Sequence, residues 1–171
     1  MPHLGEELPI TAAKFIEDCS LHLSQADLEK LTAVTLDPEA PIQTPVHREW
    51  TAWETYFRNA LARERAGKQK VRPEDSLRPE ADVYPGVLKQ ISDAFAASNP
   101  AEREFALDEL RWHKLDDLAA THPFDFEALV VYRLRLHIAE RWARKDVGNA
   151  WKQLNALLDT VETQAHQQKN G

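Results

Sequence analysis

A chain of 171 residues with 43% hydrophobic and 29% charged residues has the composition of a folded globular domain and the length to bury one core. Five glycines are too few for a turn-dense sandwich or barrel and point to helices. The net charge of −7, from 21 basic and 28 acidic residues, argues against nucleic acid or anionic lipid as a general partner, because both need clustered positive charge. No stretch approaches the roughly 20 apolar residues of a membrane span. Met1 to Glu7 carry no basic and apolar leader pattern. Cys19, the single cysteine, excludes an internal disulfide and a zinc site built from cysteines. A cytoplasmic protein without cofactor is expected.

The first helix is expected over about Thr11 to Cys19, with Thr11 as N-cap and Ala12, Phe15, Ile16 and Cys19 at helical spacing. A second begins after Ser24, with Leu28 and Leu31 on its apolar face. Prolines 38, 41 and 45 then forbid a continuous helix. The third helix should run from about Val46 to Ala66, with Gly67 as its stop. Its stripe of Trp50, Trp53, Tyr56, Phe57 and Leu61 has spacings of three and four and reads as core.

Residues Lys68 to Asp82 read as a polar surface linker. The basic run through Arg65, Lys68, Lys70 and Arg72 reads as a solvated helix end. A fourth helix follows Pro85, carrying Val87, Leu88, Ile91, Ala94 and Phe95. Asn99-Pro100-Ala101-Glu102 is the clearest start signal, with a cap, a proline at the first helical position and the acid of a capping box. The fifth helix continues through Leu107, Leu110, Trp112, Leu115 and Leu118 to a stop at Pro123.

The sixth helix is expected over Phe124 to Arg144. Projected at about 100° per residue, its apolar positions, among them Leu129, Tyr132, Leu134, Leu136, Ile138 and Trp142, cover more than half the circumference. A surface helix has a narrower stripe, so this one is expected at the centre. A seventh would follow Asp146, carrying Val147, Trp151, Leu154, Leu157, Leu158 and Val161 before a frayed polar tail from Gln164 to Gly171. The expected fold is all-α: one compact domain of six or seven helices over residues 1–171, with helices five and six as an antiparallel hairpin.

Chemistry has few footholds. No two of the seven histidines have the i, i+4 spacing of a metal motif. Cys19 shares a helical face with Phe15 and Ile16 and reads as an inert buried thiol. His113, Asp116, Asp117, His122 and Asp125 cluster around the turn between helices five and six, where a metal site or an acid/base hydrolase pair could be built. Asp125 also suits a first-turn position opposing the helix dipole. Arg135 falls inside the apolar arc of helix six. A buried guanidinium needs a partner, and Asp116 or Asp117 is nearest by hairpin logic. Arg133, His137, Glu140 and Arg141 project together as a polar strip on that helix and read as a candidate contact surface. The basic half of the linker, Lys68, Lys70 and Arg72, is a second.

The segments Phe15-Ile16-Glu17-Asp18-Cys19, Arg48-Glu49-Trp50-Thr51-Ala52-Trp53-Glu54 and Leu107-Asp108-Glu109-Leu110-Arg111-Trp112, with His122-Pro123-Phe124-Asp125-Phe126-Glu127-Ala128-Leu129 and Glu140-Arg141-Trp142, are less generic. Together they resemble a family of uncharacterised bacterial proteins encoded beside V/A-type ATPase genes, over about Pro9 to Leu158. The stretch from Phe124 is also distantly similar to the helical, funnel-shaped component that caps the central stalk of V-type ATPases. Asp125 matches there, the Asn position of that component is Ala128, and Arg133 is displaced by a residue. The family carries a short hydrophobic stretch ending in Leu-Pro before the equivalent of His3-Leu4, where this sequence reads Met1-Pro2, and the sequence leaves open whether a native segment precedes it. The resemblance implies a non-catalytic helical component or assembly factor whose partners are V/A-type ATPase stalk subunits. The alternatives are a hydrolase built on the His113–Asp125 cluster and an adaptor for another complex.

Overall fold

A computed structural model describes residues 9–70, 72–73 and 77–145. The described residues form an all-α fold of six helices: α1 (Ala12–Ser20), α2 (Gln25–Ala33), α3 (Pro45–Gln69), α4 (Val87–Phe95), α5 (Pro100–Ala120) and α6 (126–145). The expected seventh helix and the polar tail lie outside the described residues.

Local chemistry sets most helix starts. The side-chain oxygens of Thr11, Ser24, Thr44 and Asn99 accept from the backbone N–H groups of Lys14, Asp27, His47 and Ala101. Each satisfies a donor that has no partner inside its helix. Pro45 and Pro100 occupy first-turn positions, where the missing N–H costs nothing. At α4 there is no side-chain cap. Gly86 enters the helix at φ 89°, a left-handed conformation that a Cβ would strain.

Three boundaries differ from expectation. Gly67 does not stop α3. The helix continues to Gln69 and Lys70 takes the left-handed cap at φ 56°. The ammonium of Lys68 donates to the Phe95 carbonyl at 3.0 Å and lies 4.7 Å from the Phe95 ring centroid, so α4 holds the last turn in place. α5 ends at Ala120, three residues before Pro123. α6 begins at 126, leaving Phe124 in the turn and 99% exposed.

The core lies between α3, α5 and α6. On α3 the aromatic stripe is buried: Trp50 and Phe57 are 0% exposed, and Trp53 stacks on Phe57 with centroids 4.9 Å apart. α3 packs against α4 and α5, α4 against α5, and α1 against α2. On α6, Val130, Val131, Leu134, Arg135, Leu136, Ile138 and Ala139 are all buried. At 100° per residue these positions span well over half a turn, and several helices meet α6 there. Phe15 of α1 packs on Tyr132 with centroids 5.0 Å apart. The Val34 carbonyl, closing α2, meets His137. Glu127 holds the start of α3.

The α5–α6 hairpin is antiparallel, because its rungs run in opposite order. Glu104 pairs with Lys145, Asp108 with Arg141 and Trp142, and Asp116 with Arg135. The expected linker is partly a tether. The Asn59 side chain donates to the Arg78 carbonyl and accepts from the Arg78 N–H, and Glu80 pairs with Arg63 at 2.8 Å. Residues 77–80 are thereby fastened along α3.

Candidate functional site

The structure divides the five residues proposed for acid/base chemistry. His122 Nδ1 lies 2.7 Å from Asp125 Oδ2, and Asp125 also accepts the Ala128 N–H at 3.1 Å. The hydrogen bond from His122 holds the Asp125 carboxyl below the usual carboxylate range. This pair closes a turn and starts a helix. Asp116 faces α6 and Arg135. His113 and Asp117 line a different hollow, beside Trp53, Tyr84 and Lys114. Among the described residues no group of three or more His, Cys, Asp and Glu side chains is placed to hold a metal ion. The cluster expected from sequence does not form one site.

Cys19 is a free, buried thiol. Burial, with the nearby Asp18 charge, raises its pKa, which keeps it protonated and weakly nucleophilic.

Arg135 is 3% exposed and donates to Asp116, whose side chain is 52% exposed. Its guanidinium lies 5.6 Å from the Trp112 ring centroid. Burial outweighs the Asp116 charge and lowers its pKa. Asp117 takes no part in this pair.

The polar strip of α6 is not a free surface. Arg133 donates to the Ala12 carbonyl at 3.0 Å, and the Glu140 carboxylate accepts the Ala12 N–H at 2.7 Å. These two side chains grip the first residue of α1 from both polar sides. His137 Nε2 lies 3.2 Å from the Val34 carbonyl. Arg141 turns the other way, to Asp108 on α5. Four residues expected to face a partner dock α1, α2 and α5 onto α6. Their projection was legible in the sequence, but their partners, the Ala12 N–H and carbonyl, the Val34 carbonyl and the Asp108 carboxylate, were not. Of the second candidate surface, Lys68 is engaged with Phe95, whereas Lys70 and Arg72 are exposed.

An ionic network joins α3, α5 and α6. Glu54 is 1% exposed and Asp108 is 3% exposed. Glu54 accepts both Nε and Nη2 of Arg111, at 3.0 and 2.9 Å, and Nε of Arg58 at 2.8 Å. Asp108 accepts Arg111 Nη1 at 3.0 Å, the Trp142 indole N–H at 2.8 Å and Arg141. All three guanidinium nitrogens of Arg111 are thereby used. Burial alone would lower its pKa, but Glu54 and Asp108 outweigh that and raise it. The sequence carried a signal for both acids. Glu54 falls four after Trp50 and three before Phe57, and Asp108 four before Trp112, so each sits on a core-facing stripe.

Above the network a cleft of about 250 Å³ opens between α3, α5 and α6, lined by Leu61, Arg65, Glu104, Leu107, Asp108, Arg111, Arg141 and Lys145. Large apolar side chains lie exposed elsewhere: Phe124 at 99%, Leu21 at 76%, Val83 at 74%, Leu88 at 52% and Ile42 at 48%. Among the described residues no helix is long and apolar enough to cross a membrane.

Residues 83–165 are similar to the family described as Protein of unknown function (DUF2764). No curated protein and no solved structure matches the chain.

Proposed function

We propose that this chain is a non-catalytic helical component or assembly factor of a V/A-type ATPase, working by contact with stalk proteins near the central axis of that complex. The reading rests first on the resemblance carried by Leu107 to Trp112, His122 to Leu129 and Glu140 to Trp142. Those residues build the α5–α6 hairpin. The observation that carries the mode of action is Phe124 at the hairpin tip, with almost all of its surface in water. Burying a phenyl side chain is worth roughly 1.5–3 kcal/mol, and this fold leaves that gain to a partner.

Ile42, half exposed, belongs to the same end of the molecule. Thr44 and Val46, just after it, bond to Glu127, three residues beyond Phe124. Phe124 and Ile42 are the apolar anchors of the proposed contact. Exposed Asp125 beside them suits a partner pocket with a basic rim. Lys70 and Arg72 offer a second, electrostatic contact to an acidic stalk surface. In this reading the protein sits at the cytosolic face of the membrane through the complex it joins.

Deletion of the gene tests the proposal. The expected result is a loss of assembled ATPase, with reduced ion transport and a changed complex mass in native gels. If assembly, transport and mass all stay at wild-type values, the proposal fails. Copurification with a different complex would replace it with the adaptor reading.

A further inference from the structure

We propose that the cleft between α3, α5 and α6 is a binding site for a phosphate dianion, free or carried on a small monoester. The inference is independent of the ATPase reading. Four cationic side chains, Arg65, Arg111, Arg141 and Lys145, converge there with two acidic ones, Glu104 and Asp108. The lining itself carries two positive charges in excess, one of which is offset by Glu54 buried behind Arg111, on a protein whose net charge is −7. Such a concentration of one sign in a walled cleft raises the local concentration of the opposite ion.

The four cations are not equivalent. Arg111 is fixed from behind, with its side chain only 12% exposed and its donors engaged by Glu54 and Asp108. Each of its three nitrogens already makes one of these bonds, and one N–H on each Nη is left over. Arg141 is tied to Asp108 by Nη2, and its Nε is buried with no hydrogen-bond partner among the described residues. Lys145 is braced by Glu104 and by the Trp142 ring, 4.5 Å from its ammonium. Arg65 is exposed, and no acidic partner is found for it among the described residues. It is the one lining guanidinium with its whole planar fork available for a bidentate oxyanion contact. Three of the four positive groups are held before any ligand arrives, which lowers the ordering cost of binding. The volume of about 250 Å³ is below the range of drug-sized ligand pockets, about 300–1,000 Å³, and suits a small anion. Two separate cationic groups, the Arg65 fork and the Lys145 ammonium, can meet three phosphate oxygens at once, more than chloride or a monocarboxylate offers.

Calorimetric titration of the full chain with inorganic phosphate, and separately with phosphoserine, tests the site at pH 7.5 and constant ionic strength, with sodium chloride as the reference salt. Saturable one-to-one binding is expected in at least one titration, and the tighter of the two identifies the free ion or the monoester. Arg65→Gln combined with Lys145→Gln should weaken that binding at least tenfold. Lys89→Gln, on α4, should leave it unchanged. Arg65 is exposed and the Lys145 side chain is 38% exposed, so the double variant should fold, which its circular dichroism checks. The proposal is overturned if neither titrant produces heat beyond the chloride reference, or if the folded double variant binds as tightly as wild type.

Discussion

Glu54 and Asp116 each hold an arginine, and their different exposures set different outcomes on replacement. Glu54 is sealed from water and anchors Arg111 and Arg58. Glu54→Ala leaves the Arg111 charge with only Asp108 in a dry environment, and the expected destabilisation is about 3–5 kcal/mol. Asp116 has half of its side chain in water, so its pair with Arg135 is screened on one side. Asp116→Ala should cost about 1 kcal/mol. Urea denaturation of both variants checks the order, and a midpoint unchanged by Glu54→Ala would contradict the network's role. The imidazoles add a pH dependence. His47 is fully buried, accepts the Gln43 N–H at Nδ1 and donates Nε2–H to the Thr35 carbonyl. Only the neutral ring can do both. Burial, chiefly, lowers the pKa of His47 and of His137 below the ordinary value of 6.5. A lowered histidine pKa means that the unfolded chain binds more protons below about pH 6.5, so stability is full above that pH and falls as acid is added. The denaturation midpoint should decline from pH 7 toward pH 5. His47→Gln and His137→Gln should each reduce the slope.

At the scale of elements, starts were more legible than ends. Thr11, Ser24 and Asn99 cap within three residues, and a cap is a local event that a sequence displays. The end of α3 is set by Lys68 reaching α4, a contact between residues 27 apart in the chain, so Gly67 is a false stop signal. The same reasoning covers α6. Its wide apolar arc points to a central helix, but projection alone leaves Arg133 and Glu140 facing solvent, because their partner, the backbone of Ala12, is more than a hundred residues away. The start of α3 is doubly held, since Thr44 caps His47 and donates its hydroxyl to Glu127 at 2.7 Å. Thr44→Ala removes the cap and one contact to α6, and should cost about 1–2 kcal/mol. For a domain of this size that is a fall in Tm of roughly 2–8 °C. A scanning calorimetry trace with unchanged Tm would show that the junction contributes nothing to stability.

For the whole molecule, the class of fold followed from few glycines, helical spacing and strong start signals. The network of Glu54, Asp108 and Arg111 was encoded at core-facing positions and is apparent only once α3 and α5 are brought together. The chain uses most of its polar side chains on α6 to hold itself together, which shifts the proposed contact from the helix face to the hairpin tip. Phe124 is the residue on which that account turns. The direct measurement is affinity purification of the tagged chain from native membranes, wild type and Phe124→Ser in parallel, scored by mass spectrometry for ATPase stalk subunits. Replacing a side chain that is 99% exposed leaves the fold intact. The account predicts stalk subunits with the wild-type chain at a fixed ratio and their loss, tenfold or more, with the folded variant. Stalk subunits absent from the wild-type preparation, or recovered equally with both chains, would contradict it.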